Sequence, residues 1–339
     1  MDMIRNILLL HTVNQLDSVN HVKWPKKVYR ERPNPFKMDD NEFKKRYRFN
    51  KKTVRRIVTL IRNEIKRGPR GTAVSPELQV LIALRCWTSN EIQDDSGELH
   101  GISQGTVCRI CSRVAEAIAC LKSRFITLPN TLQKQERLMR DFQAIGGFPN
   151  VVGAINCEHF KIKQPKKSLG YTGKYSRKGY FSLNVQVVCD AKLRIRDIAQ
   201  WRGTAHDGGI YNESTIKELF EGNHFNGKLL GDSRYEGTPY ILTPMLYPSD
   251  PQEEMYNKAH MVTRDTVERC YSVWKQRFQC LLNGLPFSLK NGEVVVIALA
   301  VLHNIAIDMS DSIDDMPNEV NPQVTTENDN HSQQEEIYS

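Results

Sequence analysis

No apolar run in this chain approaches the roughly 20 residues that a bilayer-spanning helix requires, so nothing points to a membrane protein. The N-terminus, MDMIRNILLLHTV, has only the short run Ile7 to Leu10 and lacks a small-residue cleavage site; a short docking helix is expected there rather than a signal peptide. A disulfide framework is missing too, because the eight cysteines are scattered through apolar surroundings in a long chain. That pattern suits reduced, mostly buried thiols of a cytosolic or nuclear protein. Cys108 and Cys111 form a lone CxxC with no second pair at zinc spacing, which leaves them a structural role. There is no internal repeat. From Asp308 to Ser339 there is no Lys or Arg at all.

That last absence concentrates charge elsewhere. The whole chain of 339 residues carries a formal +8, but nine of its 39 acidic residues and none of its 47 basic ones lie from Asp308 onward. Residues 1–307 therefore carry +17, and so basic a body is expected to meet a polyanion. A composition of 40% hydrophobic and 25% charged residues, over this length, suits two globular domains.

Periodicity divides the chain. In DDNEFKKRYRFNKKTVRRIVTLIRNEIK, residues 39–66, Phe43, Tyr47, Val54, Ile57, Val58, Ile61 and Ile65 recur at helical spacing and predict two amphipathic helices. After GPRGTAVSP, Ser75 and Pro76 should open a third, with a core face of Leu78, Leu81, Ile82, the stem of Arg85 and Cys86. A short helix ending at Gly101 and a second one capped by Ser103, with its stripe Val107, Ile110, Cys111, Val114, Ile118 and Leu121, look like a helix-turn-helix. Such a motif would turn Gln104, Thr106, Arg109 and Arg113 outward for phosphate and base-edge contacts. Three-helix cores without DNA contact show the same pattern.

From Pro149 the period becomes that of strands. VVGAIN, FSLNVQVVCDA, RIRDIAQWRG and KLLGDSRY are strand-like runs, the second and third joined as a hairpin through Asp190, Ala191 and Lys192. A helix over IYNESTIKELFEG should return the chain to LLGD by a crossover, and helices over about 265–278 and 293–307 follow. Together these suggest an α/β fold of the ribonuclease H type with a mixed sheet, preceded by an all-helical domain. The expected boundaries are a helical DNA-binding region over 1–148, a nuclease-type domain over 149–309 and an acidic, disordered tail over 310–339.

Asp232 in LLGDSRY, at a strand end, and Glu268 in TRDTVERCYSVWKQRF, on a helix, are placed as hard oxygen ligands for divalent cations. Two such ions about 3.5–4 Å apart can activate an attacking oxygen and stabilise a leaving one in phosphodiester chemistry. The blocks SPELQVLIALR, GELHGISQGTVCRI, GFPNVVGAINCEHFKIKQP, RKGYFSLNVQVVCDA, WRGTAHDGGIYNES, LLGDSRYEGTPYILTP, YNKAHMVTRDTVERCYSVWKQRFQCL and AVLHNIAID give the chain a wider identity. Over residues 40–309 it resembles the PIF/Harbinger DDE transposases, in particular the Harbinger transposase-derived nucleases. The resemblance implies a ribonuclease H-like core and DNA cleavage by two metal ions, magnesium or manganese, held by two Asp and one Glu. It matches Asp232 to the second Asp and Glu268 to the Glu. The first Asp falls in Gly153-Ala154-Ile155-Asn156-Cys157, where this chain has Asn156 at the expected strand mouth.

An amide offers one good acceptor oxygen and aims N–H donors at a cation. Cleavage is therefore expected to be impaired, and a DNA-binding protein that has lost its chemistry is the alternative. Glu158, two residues on, is a candidate replacement ligand or a solvent-exposed side chain without a role. The resemblance gives His206 and Asp207 an accessory place, while Asp207 also reads as a helix cap and Asp190 as a local turn residue. His159 and His303 read as structural hydrogen-bonding residues, and Trp274 and Phe278 as core. Lys161, Lys163, Lys166, Lys167, Lys174, Arg177 and Lys178, interleaved with Tyr171, Tyr175 and Tyr180, suit a DNA backbone and an unstacked base, or an ordinary solvated loop. As partners the resemblance implies DNA and a Myb-like DNA-binding protein, with a second copy of the chain left open. It implies residence in nucleus and cytoplasm, for which PKKVYRER at 25–32 is a weak basic signal.

Overall fold

Asp39 begins the described helical region by accepting the backbone N–H groups of Asn41 and Glu42, which caps helix α1, Asp40–Tyr47. The structure is a computed structural model and describes residues 34–67, 74–89, 102–163, 180–202, 207–222 and 225–313. The N-terminal docking helix expected above lies outside them, and so does the expected acidic tail from residue 314 onward; its first four residues, 310–313, are described, with Asp311 and Ile313 buried. Helix α2, Lys51–Ile65, follows, and the seven apolar positions expected in these two helices are all buried. Ser75 Oγ accepts from Leu78 N at 3.3 Å to cap α3, Pro76–Thr88, with Pro76 at its first turn. One buried face was expected of α3. Instead Leu78 to Leu84 and Cys86 to Thr88 are all buried, because α1, α2 and α4 pack around it.

Helix α4, Gln104–Ala119, buries Val107, Ile110, Cys111, Val114 and Ile118 as its period predicts. The helix expected to precede it as the first half of a helix-turn-helix lies outside the described residues. After α5, Lys122–Phe125, comes α6, Leu132–Gly146, in a stretch expected to be helical but for which no individual helix was delimited. Gly147, at φ +74°, ends α6 in the left-handed conformation that glycine adopts without strain.

The sheet has five strands in the order β3-β2-β1-β4-β5. Strand β1, Val151–Lys161, pairs antiparallel with β2, Ser182–Cys189, which pairs antiparallel with β3, Ile195–Arg202, as the hairpin requires. Strand β4, Lys228–Leu230, lies parallel to β1, reached through helices α7, Asp207–Asn212, and α8, Thr215–Glu221. A fifth strand, β5, Ile241–Leu242, lies parallel to β4 and is too short to show a period. Beyond it α9, Pro251–Arg277, α10, Cys280–Asn283, and α11, Leu289–Asp308, complete the chain.

One face of the sheet, through Ala154, Phe160, Leu183 and Val185, shares a continuous core with α2, α3, α4, α9 and α11. The other, through Val152, Ile155, Cys157 and Val188, packs on Ile210, Tyr211, Ile216 and Phe220 of α7 and α8. The helical segment and the sheet are thus two sides of one core in the unit that begins at Asn34. Helix α11 is long and apolar enough to cross a membrane by length and mean hydropathy, 1.4 over its best window, contrary to the reading that no such run exists. Two thirds of that window, 67%, is buried in the protein, and the helix serves as the central element of the core.

Candidate active site

Asn156 sits in the middle of β1, opposite Val187 of β2, and not at a strand mouth. The polar run Cys157-Glu158-His159 reads as a turn, but β2 supplies a full antiparallel partner, so the strand continues to Lys161. Alternation along the strand turns Asn156 to the face covered by α9, where it is 4% exposed. Its Oδ1 accepts from Cys157 N at 2.9 Å and its Nδ2 donates to Glu268 Oε1 at 3.0 Å. Tyr271, three residues past Glu268 on α9, donates its hydroxyl to the Asn156 carbonyl at 3.0 Å and to the Val185 carbonyl at 2.8 Å. Asp232 lies just past β4, the parallel neighbour of β1. The three positions singled out from sequence therefore converge.

Two arginines converge with them. Arg234, in the turn after β4, donates from Nε and Nη2 to Asp232 Oδ2 at 2.8 and 2.6 Å, and from Nη2 to Asn156 Oδ1 at 3.1 Å. Its backbone N–H meets Asp232 Oδ1 at 2.9 Å. Arg264, one turn before Glu268, donates to Glu268 Oε1 at 2.6 Å and lies 3.6 Å from Asp232 Oδ2. Two carboxylates thus face two guanidiniums, and the amide presents hydrogens to one of those carboxylates. Among the described residues no group of three or more His, Cys, Asp and Glu side chains is placed to hold a metal ion. A pair of divalent cations needs a bridging carboxylate and a surplus of negative charge, and this donor set offers neither.

The other candidate residues separate. Glu158 is not a free surface group, since it is half-buried and its Oε1 pairs with Lys275 Nζ of α9 at 2.5 Å. Asp207 starts α7, and His206 lies outside the described residues. Asp190 keeps the local role expected of it, accepting from Lys192 N, Arg194 N and Arg196 Nε at 2.9, 3.0 and 2.8 Å. His159 Nδ1 meets Ser182 Oγ at 3.0 Å and His303 Nε2 meets the Leu193 carbonyl at 2.7 Å, both structural. Trp274 and Phe278 are buried in the core. Lys161 is exposed with its ammonium 5.8 Å from the Tyr180 ring centroid, and Lys163 is exposed. Lys166, Lys167, Lys174, Arg177 and Lys178 lie outside the described residues.

On α4, Gln104 and Arg109 are exposed and Thr106 is half-buried. Arg113 does not project freely as expected. Its Nη1 donates to Oε1 of the buried Gln79 at 2.8 Å, and it lines an open cleft of about 340 Å³ with Arg67, Cys108, Arg109, Ser112 and Glu116. Burial, then the charges of Arg67 and Arg109, push the Arg113 pKa below its usual value. Sequence reasoning missed Arg234, Arg264 and Tyr271 at the candidate active site. The signal available was spacing: Arg234 stands two residues after Asp232, and Arg264 and Tyr271 stand four before and three after Glu268 on one helix face.

A family model described as DDE superfamily endonuclease matches residues 155–304, a span that holds Asn156, Asp232 and Glu268. The chain is 33% identical over 283 residues to the human protein named "Putative nuclease HARBI1", covering 80% of each chain. It is 32% identical over 268 residues to the Xenopus laevis protein of that name, covering 77% of this chain and 76% of that one. An Arabidopsis thaliana protein named ALP1-like is 27% identical over 304 residues, covering 82% of this chain and 74% of its own length. No solved structure matches.

Proposed function

Since the chain belongs to the Harbinger transposase-derived nucleases, a DDE endonuclease family, we propose that it is a DNA-binding protein with a ribonuclease H-type fold whose phosphodiester cleavage is lost or severely impaired. One observation carries this reading: Asn156 occupies the first carboxylate position and donates its amide hydrogen to Glu268, the residue with which an Asp would share cations. Divalent-metal dependence goes with the family, but two bridged cations have no ligand set among the described residues. The strand order β3-β2-β1-β4-β5, with Asn156 on the central strand, Asp232 after its parallel neighbour and Glu268 on the long helix, supports the fold assignment. Support for DNA as partner is electrostatic, from the +17 body and the arginine-lined cleft on α4. Residence in nucleus and cytoplasm and a Myb-like DNA-binding partner accompany the family reading, and a second copy of the chain is the other partner to test.

A nuclease of reduced rate is the second reading, favoured by the retention of Asp232 and Glu268 side by side. A plasmid-nicking assay with magnesium or manganese separates the two. The expected result is retention of duplex DNA on the protein with no nicking above background. Robust nicking by the native chain that disappears in Asp232→Ala would overturn the proposal.

A further inference from the structure

Asn156 is one feature of this site that bears on metal binding, and the contacts of Arg234 are a second, independent one. The Arg234 guanidinium holds Asp232 Oδ2 with two nitrogens and reaches the single acceptor of Asn156 with one of them. It therefore bridges the first and second ligand positions. Arg264 bridges the second and third, with Glu268 Oε1 at 2.6 Å and Asp232 Oδ2 at 3.6 Å. Each guanidinium spans two of the three positions, as a shared cation does, and the charges of the four ionised side chains cancel. Arg234 enters from the mouth, with 55% of its side chain exposed, while Asp232 beneath it is 15% exposed.

We propose that Arg234 is a tethered counter-cation that stands in for a metal ion, so that restoring the missing carboxylate at position 156 does not by itself restore metal binding. The inference rests on the family reading of positions 156, 232 and 268, and it goes beyond the loss of one ligand. With Arg234 present, an Asp at position 156 would give three carboxylates against two guanidiniums, a net −1. Removal of Arg234 as well would leave three carboxylates against Arg264, a net −2, with Asp232 uncovered. Divalent affinity follows ligand charge and number, so affinity should rise steeply only in the second case. Arg234 is a positioning residue here, acting through Asp232.

The test uses the full chain, with manganese(II) as the probe, in isothermal titration and thermal unfolding. Native protein should show no saturable manganese binding and a melting midpoint unchanged by chelator. Asn156→Asp should bind weakly. Asn156→Asp with Arg234→Ala should bind at least tenfold more tightly than Asn156→Asp, and manganese should raise its melting midpoint through linkage. Asn156→Asp with Arg234→Lys, which keeps the charge, should behave like Asn156→Asp alone. Should the alanine variant fail to fold, Arg234→Gln in the same background removes the charge and preserves much of the shape. If Asn156→Asp alone binds manganese as tightly as the double variant, or if native protein binds it saturably, the tethered-cation idea is wrong. Asp232-dependent nicking by the native chain would sink the loss-of-cleavage reading and this inference together, whereas tight manganese binding by Asn156→Asp alone, with no nicking by the native chain, sinks only the inference, so the two failures are distinguishable.

Discussion

Tyr271 shows how much of this site is fastened by single side chains. Its one hydroxyl proton is shared between carbonyls on adjacent strands, Asn156 of β1 and Val185 of β2, and the ring is 2% exposed. Burial pushes its pKa well above the ordinary 10, so it remains a neutral donor throughout the working range. Tyr271→Phe preserves the packing and removes only the hydroxyl, which should cost about 1–3 kcal/mol because buried acceptors lose a partner. Urea unfolding measures this, and an unchanged midpoint would show that the hydroxyl does not fasten α9 to the sheet. Asp232 and Glu268 were legible in the sequence because each stands in a motif whose chemistry needs a carboxylate. Arg234 was not, since a guanidinium in a turn has no reading until the turn is folded against β1. The partner of Glu158 was hidden for the same reason, Lys275 lying on α9, far away in the sequence.

Whole elements were legible where they bury a single stripe or stand alone between breakers, as α1, α2 and the β2–β3 hairpin do. The N-terminal half of α9 was missed because Pro251 to Arg264 is mostly polar and part-exposed, although Asp250 caps it by accepting from Gln252 N and Glu253 N at 2.8 Å. Strand β1 was cut short because its polar second half is held by pairing with β2, a long-range partner that local pattern does not reveal. The missed half of α9 carries a titratable group with a consequence. His260 is 1% exposed, its ring flanked by Phe148 and Tyr256, with Nε2 donating to the Leu242 carbonyl of β5 at 3.0 Å. Burial lowers its pKa below 6.5, with a smaller push from the Arg264 charge on the same helix, against the raising effects of the Leu242 carbonyl and of Asp232. The folded state therefore binds this proton less readily than the unfolded chain. Its contribution is complete above the unfolded value of about 6.5 and is lost as pH falls toward the depressed folded value. The melting midpoint should drop between pH 7 and pH 5.5, and His260→Gln should flatten that slope. An equal slope in the variant would assign the effect to other groups.

At the scale of the molecule, charge and core make different demands on the same helices. Helix α11 was not expected to be long and apolar enough for a bilayer, yet it packs against α4 and β3 and fills the core, as an all-round apolar helix in a large globular unit must. Helix α4 buries one stripe on that core and turns Arg109 and Arg113 away from it, toward Arg67. Arg113 is held in place because Gln79 donates to the Ile65 and Val74 carbonyls at 3.2 and 2.8 Å, which leaves Gln79 Oε1 to receive the guanidinium. Among the described residues Glu116 is the one carboxylate that lines the cleft beside these three cations. Repulsion among them is relieved by an anion, and a duplex supplies a phosphate about every 1.7 Å of axis. Affinity for a duplex should therefore fall steeply as salt rises from low to physiological strength. Arg109→Gln and Arg113→Gln should each weaken binding to all sequences alike and lower the log–log salt slope by about 1. A slope that both variants leave unchanged would remove the cleft from the DNA-binding surface and shift the search to Lys161, Lys163 and the basic residues that follow them in the sequence.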